Sequence, residues 1–575
     1  MDNREVAAIF YEVADILDLQ GIAFKPNAYR RAARGIEQLD DEISKLASER
    51  RLQEIPGVGE SVAKKIEEIV KTGKLSYLDK LRGQIPPGLL EILRIPDVGP
   101  KTAMVLNKEL GISDIEQLKK ALDEHRIRGL KGFGEKTEER IRQGIGTLEA
   151  KGRRLYLDEA YPVASAYVEF LKSRDSIELV SIAGSLRRGK ETVGDIDILV
   201  GDDHPERVMN AFVSYQLVKD VLMKGPTKSS VVLRNGLQVD IRVVDSKSYG
   251  SALVYFTGSK DHNVDLRRIG IDLGLKVSEY GVFERDSGSM VAGDTEERVY
   301  RSLGLPYIPP ELRESAGEIE AGRAGTLPKL VEQSEIKGDL HTHTNWTDGS
   351  SSIEDVVSKA IDLGYQYVAI TDHSPSLKIT HGLPADRLKQ QIGAIRKVEE
   401  KLEGHGVRVL AGCEVDIKAD GSLDHPSSVL GDLDMTIGSV HSRFKMDKNE
   451  MTKRIVTAIE SGGIDILGHP TGRIIGQRNP YEFDVQSVFS SAKESGVCME
   501  INSFPNRLDL SDVHCRLAKD SGLKMSIGTD AHSPDQMDYM FYGVTTARRG
   551  WLEAQNVMNT MTARELTAFL RSRRG

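Results

Sequence analysis

Ten of the thirteen histidines in this 575-residue chain lie beyond residue 340, and their spacing suits metal chemistry. His341-x-His343 puts two imidazoles on one face of an extended segment, because side chains alternate along a strand. Asp348 follows, then Asp372-His373, Glu414, His441, His469 and Asp530-x-His532. A catalytic zinc takes about three protein ligands. Leaving Asp372 aside, nine groups suit two or three ions, with Glu414 as a bridge. The mixed imidazole and carboxylate set favours Mn²⁺, Zn²⁺ or Fe²⁺ over Mg²⁺. Ions so held make hydroxide near neutral pH and polarise a phosphodiester. Asp372 is expected to orient histidine ligands from behind. His125, His204, His262, His381, His405, His425 and His514 read as core or surface residues.

A second constellation lies upstream. Asp195 and Asp197, in GDIDILV, point to one face of a strand, and Asp240 sits on a later apolar strand, QVDIRVV. Three such carboxylates can hold two Mg²⁺ or Mn²⁺ ions about 4 Å apart. One ion would lower the pKa of an attacking hydroxyl, and the other would neutralise a leaving pyrophosphate. Gly184-Ser185 before a helical turn, with Arg188, offers amides, a hydroxyl and a guanidinium to phosphate oxygens.

These groups need rigid elements. Residues 335–575 repeat a strand-then-helix rhythm seven times, which predicts a βα barrel whose active face lies at the strand C-termini. Residues 155–312 alternate helix and strand, while 313–334 lack an apolar period and read as an interdomain linker. Residues 1–150 read as helical. In them, Ile55-Pro56-Gly57-Val58-Gly59, Ile95-Pro96-Asp97-Val98-Gly99 and Leu130-Lys131-Gly132-Phe133-Gly134 each precede a helix. Gly57, Gly59 and Gly99 would let the backbone approach a phosphate there. This design resembles the helix-hairpin-helix motif, which grips DNA phosphates without reading sequence.

The expected divisions are 1–80 and 81–154 for two helical DNA-binding parts, then 155–250 and 251–312 for two successive parts of the mixed helix-and-strand region. The linker and the barrel follow. Net charge is −9, divided as +2 over 1–155, −7 over 156–320 and −4 over 321–575, so nucleic-acid contact must come from local patches. Three cysteines exclude a disulfide scaffold and fit a reducing cytosol. No apolar run reaches the ~18 residues of a membrane span, and the acidic start is unlike a secretory signal. A cytoplasmic monomer is expected.

GSLRRGKETVGDIDILV, VDIRVV, Tyr255-Phe256-Thr257-Gly258-Ser259 and the ending LPYIPPELR resemble the family X DNA polymerases typified by DNA polymerase beta, over residues 1 to about 312. The resemblance implies Asp195, Asp197 and Asp240 as catalytic metal ligands, and Gly184, Ser185, Arg188 and the Gly194 amide as triphosphate contacts. It implies that Tyr255, Phe256 and Gly258 pack on the incoming sugar, Asn263 contacts its base and Arg267 contacts the template. Gln238 stands where the family often has Arg, so help for the third aspartate is uncharged here. Lys260 stands where an acidic residue can occur, and a cation there would grip nucleotide before the second metal arrives. FKPNAYRRAA resembles the family's lyase domain, with Tyr29 and Arg30 receiving a 5′-phosphate and Lys65 at the Schiff-base position.

The motifs DLHTH, TDH, GSVH, GHP and GTDAH resemble the polymerase-and-histidinol-phosphatase (PHP) domain. The implied architecture is multidomain: helix-hairpin-helix domains, an α+β nucleotidyltransferase palm and thumb, then a distorted (βα)₇ barrel with a trinuclear site. Bacterial and archaeal family X polymerases carry this fusion. It implies gap filling in DNA repair on gapped or nicked duplex with deoxynucleoside triphosphates, beside a Mn²⁺-stimulated 3′–5′ exonuclease. Abasic-site endonuclease or 5′-deoxyribose-phosphate lyase activity and a ligase partner are further expectations. Two alternatives are a barrel acting on small phosphoesters and a non-catalytic DNA-end tether.

Overall fold

The structure, a computed structural model, describes residues 3–574 except 23, 38–42, 56, 87, 94, 96, 97, 131, 153, 175, 176 and 402–405. Pro56, Pro96, Asp97 and Lys131 of the glycine turns, and His405, lie outside the described residues. The chain divides into two compact units, Met1–Arg153 and Arg154–Gly575.

The first unit is helical, as its sequence predicts. Helices Asn3–Leu19, Lys25–Glu37 and Glu60–Thr72 enclose Phe10, Leu17, Ile36, Ile66 and Ile69. A second cluster gathers Ile92, Leu106, Leu118, Ile127 and Ile141. The three glycine turns share one hydrogen bond: Val58 N to Ile55 O, Val98 N to Ile95 O and Phe133 N to Leu130 O, each 3.0 Å. Gly59 and Gly99 cap the helices Glu60–Thr72 and Pro100–Leu110. Gly57 has φ +87°, and a Cβ there would lie 2.9 Å from the Arg31 carbonyl carbon. Only glycine fits that close approach without strain.

The second unit begins with a five-stranded sheet ordered Leu179–Ile182, Ile196–Gly201, Gln238–Val244, Lys228–Leu233, Val218–Lys224. Only the Ile196–Gly201/Gln238–Val244 pair is parallel. The outermost strand, VKDVLMK, is mostly exposed and lacks the apolar alternation that would announce it. Helices Tyr249–Thr257, Lys260–Asp272 and Glu296–Ser302 then pack with a three-stranded antiparallel sheet.

Residues 313–334, expected to be a linker, instead belong to the packing of this region. Arg313 is fully buried and donates to Glu296 at 2.7 Å. Glu318 is also fully buried, 2.7 Å from His262 Nδ1, and Ile319 joins the neighbouring core. Paired buried charge holds the segment, which is why apolar periodicity does not reveal it.

Seven parallel strands follow in sequence order: Gly338–Thr342, Tyr367–Ile370, Arg408–Asp416, Met435–Ser439, Ile466–Leu467, Cys498–Asn502 and Met525–Gly528. Strand seven returns to strand one through Asp530 N to His341 O (2.9 Å) and His343 N to Ala531 O (2.8 Å), nearly closing the barrel. Leu508 and Tyr542 from the barrel are buried in the core of the five-stranded sheet, and Trp551 joins the Tyr300–Leu312 core. No described helix is long and apolar enough to cross a membrane.

Candidate active sites

Asp197 and Asp240 are directly paired across two parallel strands, so their side chains share one face. Asp195 stands two residues before Asp197, at the mouth of the same strand. Burial, then Asp195 and then Asp240, push the Asp197 carboxyl up to about 7. Crowded acids with such a proton affinity form a ready place for cations. Asp240 Oδ1 accepts from Ser230 Oγ (2.5 Å) and from Gln238 Nε2 (2.9 Å), so the expected uncharged help is present.

The turn Gly184–Arg187 abuts these acids. Ala183 N donates to Asp197 O at 2.8 Å, and a Cβ on Gly184 would lie 2.1 Å from Asp197 Oδ2. Ser185 and Gly194 are half-buried beside the turn and the strand mouth. Arg188 does not stand open to a phosphate. Its Nε donates to Glu314 Oε1 at 3.1 Å, and its Nη1 donates to the Thr257 carbonyl.

Tyr255 and Phe256 meet edge to face at 5.1 Å, and Arg242 lies 5.2 Å above the Phe256 ring. Asn263 Nδ2 donates to Tyr255 O (2.7 Å), and Arg267 Nε to Asn263 O (3.2 Å). Gly258 ends the Tyr249–Thr257 helix with φ +68°, and exposed Lys260 opens the next.

In the amino-terminal unit, Lys64 pairs with Glu60 at 2.8 Å, whereas Lys65 turns toward the Tyr77 and Tyr29 rings at 5.2 and 5.9 Å. Burial lowers the Lys65 pKa. Arg30, expected to receive a 5′-phosphate, pairs with Asp15 and Asp18 at 2.7 and 2.6 Å.

The barrel brings all nine expected side chains together at its strand ends. Three overlapping groups have ligand atoms within 4.8 Å of one another: His343, Asp348, His373 and His532; His341, His343 and Asp530; His373, Glu414 and His441. Glu414 lies at the centre, 2.9 Å from His373 Nδ1, 3.2 Å from His441 Nε2 and 2.9 Å from His469 Nε2. His341 Nε2 and both ring nitrogens of His343 are buried without a well-aligned hydrogen bond, although His343 Nε2 lies 3.1 Å from Asp530 Oδ1 and His341 Nε2 3.5 Å from Glu414 Oε2. Buried polar atoms are seldom left so, and cations would satisfy them. Burial, reinforced by His373, lowers His343 to about 3, leaving a neutral ring whose lone pair can ligate. Glu414 is held well below the usual carboxylate range by His441, His373 and His341 against the effect of burial.

Asp372 does not support a histidine. It accepts from Thr344 N (2.8 Å), Thr344 Oγ1 (2.5 Å), Thr347 Oγ1 and Gln391 Nε2 (2.5 Å), and so fastens the loop leading to Asp348. The groups that do orient imidazoles escaped the sequence reading. Glu500 lies 2.6 Å from His341 Nδ1, and Asp416 lies 3.0 Å from His441 Nδ1. Their signal was a carboxylate inside the apolar runs VCMEIN and LAGCEVD.

Family descriptions match four stretches: the helix-hairpin-helix domain over 1–75, the SAM-like helix-hairpin-helix tandem over 89–147, the DNA polymerase beta thumb over 252–314 and the PHP domain over 339–504. The DNA polymerase/3′-5′ exonuclease PolX of Bacillus subtilis (strain 168) is 38% identical over 574 residues, covering 99% of this chain and 100% of that protein. The chain belongs to the family X DNA polymerases with a PHP domain. Other relatives of this PolX-type chain match parts of it. A probable phosphatase of Thermoanaerobacter sp. (strain X514) is 35% identical over 205 residues, 34% of this chain and 78% of that one. DNA polymerase lambda of Rattus norvegicus is 26% identical over 345 residues, 54% of this chain and 56% of that one.

Proposed function

We propose that this PolX-type chain fills short gaps in duplex DNA at the Asp195/Asp197/Asp240 site and trims the 3′ ends of the same gaps at the barrel site. Family membership supplies the enzyme class, a DNA polymerase with 3′–5′ exonuclease activity. The observation that carries the two-site reading is the convergence of two unconnected ligand sets, one on the sheet and one in the barrel.

Asp195, Asp197 and Asp240 would hold two divalent ions, Mg²⁺ or Mn²⁺. Bound there, the ions supply charge neutralisation for phosphoryl transfer. The chain's own residues position the substrates. The Gly184 turn, Ser185, Arg188 and the Gly194 amide take the triphosphate, Lys260 adds a cation, and the Tyr255–Gly258 bend meets the sugar. Asn263 reaches the base and Arg267 the template. The glycine turns at Gly57, Gly59 and Gly99 hold the duplex through phosphates.

In the barrel, His341, His343, Asp348, His373, Glu414, His441, His469, Asp530 and His532 would carry two or three Mn²⁺, Zn²⁺ or Fe²⁺ ions. Those ions supply hydroxide and polarise the scissile phosphate. A repair setting in the cytoplasm, abasic-site cleavage and a ligase partner complete the reading. Lys65, with its lowered pKa and aromatic flanks, is the candidate for 5′-deoxyribose-phosphate lyase chemistry through a Schiff base.

One experiment tests this reading: gapped duplex is incubated with nucleotides in Mg²⁺ and then Mn²⁺, with a borohydride arm on a 5′-incised abasic strand. Asp197→Ala should abolish extension and spare 3′ degradation, and His441→Ala should do the reverse. Loss of both activities in either folded variant contradicts two independent sites. Absence of a Lys65-dependent adduct ends the lyase assignment.

A further inference from the structure

The phosphate-binding turn is gripped from outside by the barrel. The helix Met540–Arg549 runs against it: a Cβ on Gly189 would lie 2.2 Å from Thr545 Cγ2. Arg549 Nη1 donates to the Arg188 carbonyl at 2.7 Å and to Glu314 Oε1 at 3.0 Å. The rest of that guanidinium is anchored on Asp512 Oδ2, at 3.0 Å from Nε and 2.6 Å from Nη2. The same Glu314 oxygen accepts from Arg188 Nε at 3.1 Å and lies 3.7 Å from Lys190 Nζ. One carboxylate oxygen is thus shared by an arginine of the nucleotide site and an arginine of the barrel.

Arg188 can keep Glu314 on its Nε while its other N–H groups remain, but a phosphate that approaches along the Nε edge must displace the carboxylate. Glu314 stays anionic at neutral pH, because Arg549, Arg188 and Lys190 lower its pKa against the effect of burial. Its Oε1 offers Arg188 Nε the acceptor that a phosphate oxygen would offer. Letting go of Arg188 would strand a partly buried charge unless another cation takes it. Arg549 is already within hydrogen-bond distance and fixed by Asp512.

We infer that Glu314 is a built-in surrogate for the nucleotide phosphate on Arg188, and that the barrel residue Arg549 receives Glu314 when the triphosphate arrives. Arg549 is then a positioning residue for the polymerase centre, although it lies in the nuclease domain. This rests on the reading of Arg188 as a triphosphate contact.

The test measures nucleotide KM and kcat on a one-nucleotide gap with the full chain, with 3′–5′ degradation as a folding control. Glu314→Gln should lower KM about threefold to tenfold, the scale of one partly exposed ion pair, with kcat little changed. Arg549→Met should raise KM by a similar factor, and Arg549→Lys should partly restore it. In a Glu314→Gln background, Arg549→Met should no longer raise KM. An unchanged or raised KM in Glu314→Gln overturns the surrogate role. A persistent effect of Arg549→Met in that background overturns the hand-over. Arg188→Ala separates the two levels: if KM does not rise, the Arg188 assignment itself fails. If KM rises but Glu314→Gln has no effect, only the surrogate fails.

Discussion

Three acids gathered at one strand mouth repel one another unless positive charge lies between them. Asp197 bears that cost on top of its burial, the larger cause, and its carboxyl is pushed up to about 7. An unfolded aspartate ionises near 3.9, so between pH ~4 and ~7 the folded chain binds the extra proton and stability falls as pH rises. Above pH ~7 the penalty is complete. Asp197→Asn should therefore stabilise the metal-free protein at pH 8 by about 2 kcal/mol after allowance for solvent screening, and far less at pH 4.5. Thermal melts in chelator at the two pH values measure this; equal gains would exclude the titration of Asp197 as the cause. At this scale the sequence is informative where chemistry-bearing residues alternate or cluster, as in DIDIL, DLHTH and GTDAH. It is silent about which partner each group chooses. Arg30 turning to Asp15 and Asp18, and Asp372 turning to two threonines and a glutamine, depend on elements far away in the chain or on rotamers that spacing does not fix.

Among the elements, the Gly184–Arg187 turn has little room beside the acids. Gly184 has φ +63°, and a methyl group there meets Asp197 Oδ2 at 2.1 Å. Gly184→Ala should shift either the turn or the carboxylate by close to an ångström and reduce extension kcat/KM by about 100-fold. Nuclease rates should be unchanged, and steady-state assays on both substrates check the contrast. The barrel strands were readable because each is an apolar run and six of the seven end in a candidate ligand, and the Lys228–Leu233 and Gln238–Val244 strands because they are apolar. The Val218–Lys224 strand was not, since an exposed edge needs no apolar face. The 313–334 segment was not, because Arg313, Glu314 and Glu318 order it through Glu296, Arg188 and His262, which lie earlier in the chain. Likewise, nothing in the helix sequence MFYGVTTARR singles out its last arginine as a neighbour of the nucleotide site.

At the scale of the whole molecule, two compact units follow one another along the chain, Met1–Arg153 and Arg154–Gly575. Calorimetry should show two transitions, with the palm, thumb and barrel melting together because Leu508, Tyr542 and Trp551 are shared between their cores. A separate transition for a chain cut at residue 334, or stable soluble halves from that cut, would contradict a shared core. The same interdigitation has a kinetic corollary. Because barrel side chains are embedded beneath the palm, the synthetic and hydrolytic centres cannot swing toward each other. On the proposed two-site reading a 3′ terminus must itself travel between them, so trimming there would depend on how readily the nucleic acid melts and relocates.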